Sequence, residues 1–271
     1  MEFLGKMLEV LNTKMEVPTL YGWFHLLFFA LSIILGVWLC IRFKNPDEKT
    51  VKRILFIITA ITIILEIYKQ INYTFTHDEG KIVADFQWYA FPFQFCSMPM
   101  YVGLLAALVK NQKVHKAMCA FLATFAMFAG VCVMFYPAQV FITTIGINIQ
   151  TMVCHGTMIS VGIFLLGSGY VRSEHRTITK AVPVFTFAVV MAMIMNEIAH
   201  RTGLLERETF NMFFISPYCE PSLPVYSIVQ GIVPYPWCLF IYILGFSLAS
   251  YLILLVSMGI YAIVRKSAKK A

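Results

Sequence analysis

Charge is scarce in this chain. Asp, Glu, Lys and Arg make up 13% of its 271 residues, about half the share usual in soluble domains. So few charged side chains cannot clothe a water-facing surface. With 59% hydrophobic residues and a mean hydropathy of +0.76, the composition is that of a polytopic membrane protein, with no stretch left over for a separate soluble domain. The seven cysteines include no Cys-x-x-Cys pair and no metal-finger spacing. All but Cys219 lie in or beside apolar segments, where a thiol behaves as a small hydrophobe, so no disulfide framework is expected. No His-x-x-x-His repeat occurs, which removes the helical spacing common in zinc hydrolases, and neither a metal nor another cofactor is expected. The first twenty residues mix Lys6 and Lys14 with Glu2, Glu9 and Glu16 and do not read as a cleaved leader. Internal repeats and low-complexity segments are also lacking.

What is present is a series of apolar windows of about 20 residues, the length that crosses a bilayer as a helix. Seven qualify, near 21–41, 53–73, 87–109, 116–136, 146–171, 181–200 and 235–264. The basic residues sort between the intervening loops. Arg42, Lys44, Lys49, Lys52 and Arg53, then Lys110, Lys113 and Lys116, then Arg172, Arg176 and Lys180 fall on one side. Arg265, Lys266, Lys269 and Lys270 of the tail (265–271) join them. Lys6, Lys14, Lys81, Arg201 and Arg207 fall on the other. The excess marks the cytoplasmic side, which leaves the segment 1–20 outside and the C-terminus inside. The net charge of +7 therefore reflects topology and not nucleic-acid binding. The fold expected is all-α, a seven-helix transmembrane bundle over 21–264, multi-pass in a cell membrane. The external loop 201–234 holds Pro217, Pro221, Pro224 and Pro234 and reads as an ordered cap rather than a helix. Tyr235-Pro236-Trp237 reads as an interfacial anchor.

Polar residues within the windows carry the functional signal, since ionisable groups at membrane depth are costly. Cys96 in window three sits about nine residues, or about 13 Å, below the outer surface at the helical rise. His155 in window five sits at similar depth, and Glu66 lies near the outer end of window two. Thr59, Thr62, Glu66, Gln70 and Tyr73 share one helical face, as do Asn148, Thr151 and His155. Asn196, Glu197 and His200 close window six, and His25, near the outer end of window one, reads as interfacial. Lys69 and Gln70 are within a turn of Glu66 and able to pair with it. Gln94 and Cys96 are about 200° apart on a regular helix, so both cannot face one cavity unless Pro92 or Pro99 breaks it.

At these residues the chain resembles the YwaF-type bacterial membrane proteins and, more distantly, the eukaryotic transmembrane-protein-164 acyltransferases. The stretch Phe91-Pro92-Phe93-Gln94-Phe95-Cys96, with Gln94 where the bacterial pattern usually has His, carries the likeness. His155, Asn211-Met-Phe-Phe214 with Pro217, and Pro236 complete it. The resemblance implies a seven-helix bundle and, through the eukaryotic relatives, acyl transfer between phospholipids by a Cys and a His. On that reading Cys96 is the nucleophile and His155 the base. Glu66, Gln70, Gln94, Asn148, Thr151, Asn196, Glu197 and Asn211 serve the imidazole or the substrate, a phospholipid or lysolipid. The alternative is a transporter or binding protein that holds a small polar solute at Glu66 in the same cavity. Oligomeric state stays open.

Overall fold

The computed structural model describes residues 2–78, 81–137, 140–203, 210–220, 223–235 and 237–268. Arg207, Pro221, Pro236, Lys269 and Lys270 of the sequence reading lie outside these, as do the side chains of Arg265 and Lys266. Among the described residues the chain is all-α apart from one short hairpin. It runs α1 (Glu2–Leu11), α2 (Trp23–Arg42), α3 (Glu48–Thr74), the hairpin β1–β2 (Phe75–Asp78 and Lys81–Ala84), α4 (Met98–Leu108), α5 (Gln112–Phe121), α6 (Met127–Phe135), α7 (Ile145–Gly167), α8 (Arg176–Thr202), α9 (Pro224–Ile232) and α10 (Trp237–Ala268). A π-helical turn, Leu122–Ala126, joins α5 to α6 into one rod. Six helices among the described residues are long and apolar enough to cross a membrane: α2, α3, the α5–α6 rod, α7, α8 and α10.

The third apolar window is different. Its helix covers only Met98–Leu108, and Phe91–Ser97 before it is extended with a single 3₁₀ turn. Pro92 and Pro99 each withhold a backbone donor, and the chain unwinds between them. The window is a half-helix with an irregular N-terminal part. In a membrane such backbone survives only where protein or a polar cavity satisfies it. Here Gln70 donates to the Ala90 carbonyl at 2.8 Å and Tyr101 to that of Pro92 at 2.8 Å.

Small residues set the helix contacts. Ser32, Gly36 and Cys40 on α2 face Gly156, Ser160, Ile163 and Gly167 on α7, at three- and four-residue spacing. A Cβ on Gly36 would meet the Ile163 Cβ at 2.9 Å, and one on Gly167 the Cys40 sulfur at 2.7 Å. The backbones close to this distance because nothing intervenes, and Ser160 then donates to the Ser32 carbonyl at 2.6 Å. Packing and hydrogen bonding of this kind hold helices together in lipid, where the hydrophobic effect does not. Gly103 does the same between α4 and α3, against Thr59. Away from these contacts α2 and α10 present Ile34, Trp38, Leu248 and Leu252, the surface an apolar solvent requires.

The loops gather at two ends. Asn45 N–H bonds to the Ser168 carbonyl and Lys52 Nζ to that of Val109, so the basic linkers share one end. At the other, Tyr68 and Asn72 donate to the Leu11 carbonyl, and Met15 N–H bonds to that of Thr143, drawing α1 and the 141–144 segment beside the hairpin. His25 lies in the first turn of α2. It is 1% exposed, accepts from Tyr21 N–H at Nδ1 and donates from Nε2 to the Met134 carbonyl at 2.7 Å, a staple between α2 and α6. The cap departs from expectation, since it contains the nine-residue helix α9, with Pro224 in its first turn, where no intrahelical donor is needed.

Residues 210–216 turn back into the bundle. Phe213 and Phe214 both have positive φ, 60° and 56°, which costs about 1 kcal/mol or more for a bulky residue. Asn196, 2% exposed, offsets it by bonding both backbone groups of Met212, at 2.8 and 3.0 Å. Asn196→Ala orphans both groups and is expected to lower unfolding stability by about 1–3 kcal/mol. Thermal unfolding in detergent would read this, and an unchanged midpoint would show that the loop is held by other contacts.

Candidate functional site

A cavity of about 500 Å³ runs between α3, α4, α7 and the π-helical turn, within the range of about 300–1,000 Å³ usual for small-molecule sites. On α3 its lining extends from Leu55 to Tyr73, about 27 Å at the helical rise. The two halves differ in character. Toward the basic end it meets Leu55, Ile58, Leu122, Ala126 and Val161; toward the hairpin end it meets Glu66, Lys69, Tyr73, Tyr89, Gln150 and Thr151. Cys96, Ser97, Cys154 and His155 also line it.

Each reactive side chain reaches the cavity for a local reason. Cys96 lies in the 3₁₀ turn Phe95–Ser97 just before α4, where the broken window turns its thiol to open space, and it is exposed there. His155 is on α7, 8% exposed, with Nδ1 2.7 Å from the Thr151 carbonyl. A carbonyl only accepts, so Nδ1 carries the proton and the Nε2 lone pair is left for the cavity. The ring is thus oriented by the backbone of its own helix, where the sequence reading had assigned a carboxylate. Cys96 and His155 face the same space without a direct hydrogen bond between them.

Glu66 sits at the centre of a polar cluster. Lys69 Nζ is 2.7 Å from Oε1, Gln70 donates to the same oxygen at 2.8 Å, and Gln150 donates to Oε2 at 3.3 Å. Both partners of the ion pair are mostly buried, and the amides complete what a charge at this depth needs. Thr151 contributes its carbonyl to His155 and lines the cavity. Gln70 stands behind Glu66.

The remaining candidates lie apart and hold the walls. Asn148 receives Ile142 N–H at 2.9 Å and donates to its carbonyl at 2.7 Å, fixing the segment that brings Ile142 to the cavity. Gln94 donates to the Asn211 carbonyl and accepts from Phe213 N–H, both at 2.9 Å. Asn211 accepts from Ser216 N–H. With Asn196, these amides seat the turn that presents Phe214 to the cavity. Glu197 bonds Arg201 and receives the Tyr218 hydroxyl at 2.7 Å outside it. Lys69, Gln150 and Cys154 were not chosen as site residues from sequence. Gln150 and Cys154, four residues apart, carry the helical-spacing signal that could have found them. Among the described residues no group of three or more His, Cys, Asp or Glu is placed to hold a metal ion.

Apolar crossing helices around a cavity with a thiol, an imidazole and a paired carboxylate define a multi-pass membrane protein with a chemically equipped interior. The family model of the TMEM164 family matches residues 20–260, and the chain belongs to that family. No curated protein and no solved structure matches it.

Removing either member of the Glu66–Lys69 pair leaves a buried charge without its counter-ion. Glu66→Gln and Lys69→Met are each expected to cost about 3 kcal/mol, with much of the loss recovered in the double variant. A thermal-unfolding double-mutant cycle checks this, and additive losses would contradict the pairing.

Proposed function

We propose that this protein transfers or hydrolyses acyl groups of membrane phospholipids, with Cys96 as nucleophile and His155 as general base and then acid. The observation that carries the reading is the placement of a thiol and an imidazole with a free Nε2 in one elongated cavity, polar at one end and apolar at the other. An ester-linked acyl chain has the same polarity pattern. The chain extends along the apolar half, the ester carbonyl lies by Cys96, and the head group meets the Lys69–Glu66 end.

The steps balance on these groups. His155 Nε2 takes the thiol proton, directly after a rotation of Cys96 or through one water, and the thiolate attacks the ester carbon. The tetrahedral oxyanion collapses, the C–O bond breaks, and the lysolipid oxygen leaves with the proton from His155. The acyl group is then a thioester on Cys96. A lysolipid hydroxyl or water attacks it, gives its proton to His155, and the proton returns to the sulfur as the thioester breaks. Ser97 and Lys69 flank the reacting atoms, Lys69 as a cation for a phosphate or for the oxyanion.

The same proposal extends to architecture and address. The half-helix α4 with its unwound lead counts as the seventh crossing, the N-terminus is outside and the basic end cytoplasmic by the positive-inside rule, and the chain is of the YwaF type in a bacterial plasma membrane. The polar half of the cavity then draws its lipid from the outer leaflet.

In liposomes with a labelled phospholipid and a lysolipid acceptor, Cys96→Ser and His155→Ala are each expected to lower acyl movement by at least about 100-fold, with unfolding midpoints near that of the unaltered protein. Retained turnover in a folded Cys96→Ser protein would remove the thiol mechanism. Loss in Glu66→Gln alone, with Cys96→Ser active, would instead favour solute handling at the carboxylate.

A further inference from the structure

A second cavity, of about 320 Å³, opens at the opposite, basic end of the bundle between α5, the 168–175 loop and the start of α8. Its floor is closed by the buried residues Cys119, Ala120, Val171 and Thr177. Lys116, Arg172 and Lys180 surround it. Glu174 is the one acidic side chain on its lining and is 3.6 Å from Lys180. Lys116 and Arg172 have no ion-pair partner among the described residues, so the cavity keeps an excess of about two positive charges.

The helix geometry adds to this field. The 27-residue α8 begins at the cavity, has no side-chain cap at its N-terminus and has no acidic residue in its first turn. Thr177, the first-turn residue on the lining, gives its N–H to the Glu174 carbonyl at 2.9 Å, so α8 contributes the partial positive charge of its dipole and not a free donor. The wall opposite is rigid. His115 Nδ1 donates to the Ala106 carbonyl at 2.8 Å, which leaves Nε2 to accept from Tyr170 at 2.7 Å, and Thr177 donates to the Arg172 carbonyl at 2.6 Å. The Arg172 backbone is thereby fixed while its guanidinium stays exposed, in a form suited to bidentate oxyanion binding.

We infer that this basic-end cavity is a binding site for a phosphate group, held by Lys116, Arg172 and Lys180. The shared chemistry is a phosphate monoester or diester, whose source is either the head group of an anionic lipid at this end of the bundle or a free phosphate in water. The site is separate from the thiol cavity and does not depend on its chemistry.

Three proteins test it: the unaltered chain, Lys116→Gln/Arg172→Gln, and the control Lys49→Gln/Lys113→Gln, which removes equal charge from exposed positions outside the cavity. Each is reconstituted in phosphatidylcholine discs with or without phosphatidylglycerol. Inorganic phosphate binding is followed by calorimetry, and retained lipid by native mass spectrometry. The unaltered protein and the control are expected to bind a phosphate group, and the cavity variant about tenfold or more weakly per cation removed. Retained phosphatidylglycerol lost only in the cavity variant identifies the lipid source. Inorganic phosphate binding lost only in that variant identifies the free anion. If the cavity variant misfolds, as judged by its unfolding midpoint, Lys180→Gln is read in its place. No binding of either probe to the unaltered protein, or equal binding by variant and control, overturns the site.

Discussion

A backbone that leaves the helix among apolar segments must find partners for its N–H and C=O groups, and much of this structure follows from how one stretch does so. Phe91–Ser97 is unwound between two prolines. Tyr101 of α4 donates to its Pro92 carbonyl and Gln70 of α3 to the carbonyl of Ala90 just before it, while Gln94 turns away to hold the backbone at Asn211 and Phe213. The break puts Cys96 in a 3₁₀ turn on the cavity wall.

The same constraint links distant segments. Gln94, Asn196 and Asn211 all serve the turn at 211–216, which carries two strained phenylalanines. Phe213 is buried among Phe93, Phe95 and Phe185, and Phe214 reaches the cavity wall. Buried amides pin the irregular backbone, and aromatic rings fill the space around it. Glu66 and Lys69 show the electrostatic version: a charge pair mostly out of water, with Gln70 and Gln150 taking up the remaining oxygen capacity.

Much of this was legible in the sequence, and the limits have physical causes. The long helices follow from hydropathy, since each must cross about 30 Å of hydrocarbon. The Thr59, Thr62, Glu66 and Tyr73 face follows from helical phase and does line the cavity. The broken window was foreseen only as a consequence of Pro92 and Pro99, because sequence shows a missing donor but not which side chains replace it. Asn148, Asn196 and Asn211 look like site residues by polarity alone; their partners are backbone groups outside the α-helices, 6, 16 and 5 residues away, which helical periodicity does not encode. The bond made by His25 was not legible either, since its acceptor on Met134 is 109 residues away. The choice of Thr151 over a carboxylate as the partner of His155 depends on a carbonyl that every helix possesses and that no residue name reveals.

The central claim is that Cys96 carries an acyl group during turnover. The most direct test is peptide mass spectrometry of the protein after brief incubation in phospholipid bilayers and acid quench, with and without hydroxylamine. A hydroxylamine-labile acyl thioester on Cys96, absent from Cys96→Ser and accumulating when no lysolipid acceptor is supplied, is the result expected. Acyl movement without any adduct, or an adduct on Cys154 alone, would contradict it.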